Sequence, residues 1–110
     1  MNEIIKLINP DDFDALLMQI NKDVSLAGID SDNFKNIATA EVLVDRMRGF
    51  IDALITNYQE SFNNFMYRVD VPEKDVAKLN HGKMDNLIDE ITYHIIKREM
   101  QKVFFKKQFS

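Results

Sequence analysis

Residues 40–67 read AEVLVDRMRGFIDALITNYQESFNNFMY. Apolar side chains at Leu43, Met47, Phe50, Ile51, Leu54, Tyr58, Phe62 and Phe65 recur every three or four positions. That spacing lines one face of an α-helix, here over about four heptads. Thr39 stands where a helix cap belongs. The stretch predicts one long helix from about Ala40 to about Tyr67. Its opposite face carries Gly49, Ala53, Thr56 and Glu60. A glycine inside a helix costs about 1 kcal/mol relative to alanine. Two readings of Gly49 stand: a neighbouring helix approaches closely there, or the position is simply exposed.

The segments on either side read as helical too. Asn9 is a cap residue, Pro10 occupies a first helical position, and Asp11 and Asp12 fill the first turn. Phe13, Leu16, Leu17, Ile20 and Val24 then form one stripe, which Gly28 ends. Residues 29–38 read as a loop or short helical turn, with Phe34 and Ile37 plugging the core. Downstream, Tyr67, Val69 and Val71 alternate with polar residues, too briefly to build a sheet. That piece reads as an extended connection. Val71-Pro72 stops the second helix and starts a short one running to about Leu79. Asn80-His81-Gly82 breaks the chain again. A last helix from about Lys83 to about Gln108 would be near 38 Å long.

The expected fold is therefore all-α: an irregular bundle of three principal helices with one or two short ones, residues 1–110 forming a single helical domain. A chain that is 45% hydrophobic can fill such a core. No apolar run approaches the roughly 20 residues of a spanning helix.

The last helix changes its apolar face. Met84, Leu87, Ile88, Ile91 and Ile95 share one stripe, whose continuation is Arg98, Lys102 and Lys106. The apolar positions move instead to Ile96, Met100, Val103 and Phe104, with Tyr93 beside them; Phe105 and Phe109 add apolar surface on the other side. A helix with two stripes has two things to bury: either the first two helices cover both sides, or its carboxyl half meets another molecule, and the second is expected in so small a chain. The function expected is non-catalytic protein–protein contact, with self-association into a homodimer as its form. Tyr93, Ile96, Met100, Val103 and Phe104 would make the apolar centre. Lys102, Lys106 and Lys107 would pair at the rim with acids such as Asp11, Asp12 and Asp14 of another copy.

Charge is unevenly spread. Residues 97–107 hold five cations against Glu99, a net of +4, which leaves −8 on residues 1–96 of a chain whose whole charge is −4. Cations at a helix carboxyl end also complement the helix dipole. The acidic total argues against general nucleic-acid binding. Cysteine is absent, which removes disulfides, thiolate metal sites and cysteine nucleophiles. With Glu3 near the amino terminus and no basic, apolar leader, a cytoplasmic location is expected.

Chemistry finds little foothold. Glu90 and His94, four apart, offer at most two metal ligands from one helix face, where a site needs three or four. Asp85, Asp89 and His81 lie nearby, and helix two carries Asp45, Asp52 and Glu60 on separate parts of its polar face. Ser25, Ser31, Ser61 and Ser110 have no nucleophile-elbow context, and three scattered glycines make no phosphate loop. No cofactor and no catalytic residue is expected. Two alternatives stand beside protein contact: a small helical enzyme with a Glu90/His94 metal site, and docking of the basic aromatic tail to anionic membrane or RNA. Arg98 is expected to snorkel or to pair with Asp70 or Glu73.

The segments Tyr67-Arg68-Val69-Asp70-Val71 and Ile96-Lys97-Arg98-Glu99-Met100-Gln101-Lys102-Val103 resemble small uncharacterised all-helical bacterial proteins of the Bacteroidetes type. The resemblance covers about the second half of the chain. It implies a bacterial cytoplasmic protein and brings no activity, cofactor or site.

Overall fold

The structure is a computed structural model that describes residues 2–79 and 84–109, with only the backbone of Met84 and Asp85. Its helices are α1 (Asn2–Ile5), α2 (Phe13–Leu26), α3 (Ala40–Asn57), α4 (Gln59–Val69), α5 (Glu73–Ala77) and α6 (Met84–Phe109). Short 3-10 turns occupy Pro10–Asp12 and Ser31–Phe34, and no strand occurs among the described residues. The all-α expectation holds. The expected break at Asn80-His81-Gly82 lies outside the described residues, as does His81.

Local chemistry explains most boundaries. The Asn9 side chain accepts from the Asp11 N–H at 3.0 Å, and Thr39 Oγ1 accepts from the Val42 N–H at 3.2 Å. Each satisfies a donor that a helix start leaves unpaired. Gly28 takes φ +79° after α2, and the Ile29 N–H reaches back to the Val24 carbonyl at 3.1 Å, a Schellman closure that favours glycine. Asp70, at φ +64°, ends α4 before Pro72 is reached.

The predicted single helix over 40–67 is instead two. Tyr58 leaves helical geometry at φ −140°, ψ 62°, and α4 turns back on α3. The gain is aromatic packing. Phe34 meets Phe50 edge-to-face at 5.1 Å between ring centroids, and Phe50 meets Phe65 at 5.2 Å. In an unbroken helix, residues fifteen apart would stand about 22 Å apart along the axis. Phe34 and Ile37 are buried as expected. The 2–5 helix was not anticipated; it sets Ile4 in the core and rests on α3 and α6.

The Cα extents are 38 × 27 × 26 Å, the longest matching the roughly 39 Å length of the 26-residue α6. α1, α2, α3 and α4 all pack along it.

Gly49 is settled in favour of exposure. A Cβ placed there meets nothing within 4 Å. Gly49→Ala is therefore expected to stabilise the protein by about 1 kcal/mol, raising the thermal midpoint by roughly 4 °C. An unchanged or lowered midpoint would refute that reading.

Candidate functional site

The side chains that α6 buries do not form two separate stripes. Ile88, Ile91, Thr92, Ile95, Ile96, Glu99 and Val103 are all buried and follow one another at helical spacing. Ile96 and Val103, expected at the centre of a contact surface, belong to the protein's own core, and Tyr93 and Met100 are half-buried against it. The line contains one acid. Glu99 has no exposed surface.

α2 presents a matching irregularity. Its buried face runs Leu16, Gln19, Ile20, Asp23 and Val24, so an amide and a second carboxylate enter the same layer. Gln19 Nε2 donates to Asp23 Oδ2 at 3.2 Å. Lys102 reaches across from α6 and donates to Asp23 Oδ2 at 2.9 Å and to the Arg68 carbonyl at 2.8 Å, standing 3.4 Å from Glu99 Oε1. As an ion Glu99 would accept no hydrogen bond, whereas protonated it can donate to Asp23. Burial therefore pushes the Glu99 carboxyl up to about 9, the Asp23 carboxylate adds to the rise, and Lys102 offsets only part of it. For Asp23 burial acts upward too, but Glu99, Lys102 and Gln19 together outweigh it and hold the group below its ordinary value. At neutral pH the pair holds one proton, on Glu99.

The remaining lysines continue this seam. Lys106 Nζ donates to Gln19 Oε1, and Lys107 Nζ pairs with Asp12 Oδ1 at 2.8 Å. Lys102, Lys106 and Lys107 thus fasten α6 to α2 of their own chain. They are not left facing the Asp11, Asp12 and Asp14 of another copy, because the long helix passes directly beside the start and middle of α2. Arg98 does as expected: Nε donates to the Asp70 carbonyl at 3.0 Å, with Nη2 3.5 Å from Asp70 Oδ2.

The aromatic end stays open. Phe104 is 56% exposed, Phe105 50% and Phe109 86%. Phe104 and Phe105 stand edge-to-face at 6.0 Å. On a different face lies a groove of about 740 Å³. Gly49, Ala53, Val42 and Tyr58 line it, together with Asp30, Asp45 and Arg46.

The metal candidates do not converge. Glu90 and His94 share a cleft of about 370 Å³ with Glu3 and Asp89. Arg48 Nε holds Asp89 at 2.6 Å, and His94 Nδ1 lies 3.9 Å from Asp75 Oδ2. Among the described residues no group of three or more His, Asp or Glu side chains is placed to hold a metal ion; the side chains of His81 and Asp85 lie outside them. No described helix is long and apolar enough to cross a membrane.

Sequence reasoning missed Gln19, Asp23 and Glu99. The signal was available, since each occupies a three- or four-residue step of an apolar stripe. Comparison of the chain with protein-family models, with curated proteins and with solved structures finds no match.

Proposed function

We propose that the chain is a non-catalytic protein–protein interaction module that associates with a second copy of itself through the aromatic end of α6. The observation that carries this reading is the exposure of Phe104, Phe105 and Phe109 within the last turns of the longest described helix. Large apolar side chains grouped at one surface mark contact sites. The groove on α3 supplies a receiver of suitable shape on the same chain. Gly49, Ala53, Val42 and Tyr58 among its lining residues offer an apolar seat for an aromatic side chain. Apolar burial supplies the affinity.

Sedimentation velocity across the micromolar range tests the proposal. The expected result is a concentration-dependent dimer that both Phe104→Asp, on the inserting side, and Gly49→Leu, on the receiving side, reduce to monomer. Both positions are open to solvent, so circular dichroism should report intact helices in each variant. A monomer at every concentration overturns the proposal, and so does a dimer that survives both substitutions.

A further inference from the structure

Between α2, α4 and α6 lies a pocket of about 420 Å³, within the range of small-molecule sites. Five cationic side chains line it: Lys22, Arg68, Arg98, Lys102 and Lys106. Asp23 neutralises Lys102 and Asp70 attends Arg98. Lys106 donates to the neutral Gln19 amide, and the Asp23 charge acts on it as well. Arg68 lies 5.9 Å over the Tyr67 ring, a contact that does not neutralise its charge. Glu99, adjacent to Lys102, contributes no charge while it keeps its proton. The pocket therefore carries a surplus of about three positive charges on a chain whose net charge is −4.

The cations also crowd one another. Burial lowers the Lys106 ammonium below its ordinary value, and Lys22 opposite it lowers it further. Like charges brought together by three separate helices are costly unless an anion sits between them. The rim is apolar: Leu26 and Phe105 both line the pocket and both stand half-exposed.

We propose that this pocket binds a small organic phosphate monoester, its phosphoryl group among Lys22, Arg68 and Lys106 and its apolar portion against Leu26 and Phe105. A phosphate dianion matches the charge surplus, and the Arg68 fork suits its oxygens. The pocket shares Phe105 with the aromatic end of α6 and no residue with the α3 groove, and either proposal can fail alone: the pocket is complete in one chain, and association, tested at Phe104 and Gly49, needs no anion.

The test is a titration of the whole protein with phenyl phosphate, followed by amide chemical shifts at low ionic strength. Saturable shifts are expected at Lys22, Leu26, Arg68, Phe105 and Lys106. Lys22→Ala and Lys106→Met are each expected to weaken binding about tenfold, the usual scale for removing one charge-assisted contact. Lys97→Ala, elsewhere on α6, should leave it unchanged. Inorganic phosphate should bind more weakly than phenyl phosphate because it lacks the apolar part. The amide spectrum of each variant reports its fold in the same experiment. Failure to saturate at millimolar phenyl phosphate overturns the proposal, as does equal affinity in the Lys22 and Lys106 variants. Binding to phosphatidic acid vesicles without binding to phenyl phosphate would also overturn it, in favour of a membrane surface.

Discussion

Lys102→Met is expected to lower the unfolding free energy by about 3–5 kcal/mol, measured by urea denaturation at neutral pH. Methionine keeps the apolar stem and removes the ammonium. Asp23, buried and held ionised, then loses its cation, and the Arg68 carbonyl loses its donor. Breaking one side of a buried pair costs more than the pair contributes, because the remaining charge stays away from water. The total stability of a domain this size is only about 5–15 kcal/mol, so the variant should be near its folding threshold. The same reasoning sets the control. Removing both partners, with Asp23→Leu added to Lys102→Met, should recover most of the loss. A single variant that costs less than about 1 kcal/mol would show that Asp23 is not dependent on this lysine.

Glu99→Gln is expected to stabilise the protein, by an amount that grows with pH. The ordinary carboxyl value is 4.5 and burial raises Glu99 to about 9. Between these values the folded state holds a proton that the unfolded chain releases. Stability therefore falls as pH rises, by up to about 1.4 kcal/mol per unit, and levels off above the folded value. Near pH 7 the penalty is of the order of 3 kcal/mol. An amide replaces the neutral acid almost atom for atom and cannot ionise, so the downward slope between about pH 5 and 9 should vanish in the variant. Asp23 acts in the opposite sense. Its value is lowered, so its contribution is lost only as pH falls below about 3.8. Together the two carboxyls place the wild-type optimum near pH 4–5 as far as this pair decides it. A flat wild-type profile from pH 5 to 9 would disprove a buried, protonated Glu99.

Much of the architecture was legible because it depends on local chemistry. Asn9, Thr39 and Gly28 act through hydrogen bonds a few residues away, and they do what their types predict. The stripes of α2 and α3 were equally plain, as was the anchoring of Arg98 at Asp70. The bend at Tyr58 was not legible. No proline or glycine marks it, and its cause is the Phe50–Phe65 contact, which exists only once the chain has turned. The polar seam was missed although its positions continue the apolar stripes. A glutamate among lysines reads as surface charge until the neighbouring helix is placed, and here α2 covers it with Asp23 and Gln19. Three lysines assigned to a partner turned out to serve their own chain. The large apolar side chains that α6 leaves exposed among the described residues are Phe104, already singled out, and the two phenylalanines that follow it.

The sequence distances across the seam bear on how the protein assembles in time. Phe34, Phe50 and Phe65 come together within a short span of chain, whereas Lys102 and Asp23 lie 79 residues apart and Lys107 and Asp12 lie 95 apart. Closing the larger loops costs more entropy, so the aromatic corner should nucleate and the seam should zip shut after the rate-limiting barrier. The penalty of losing Lys102 would then appear as faster unfolding with nearly unaltered refolding, making those lysines the latch that governs how long the native state lasts.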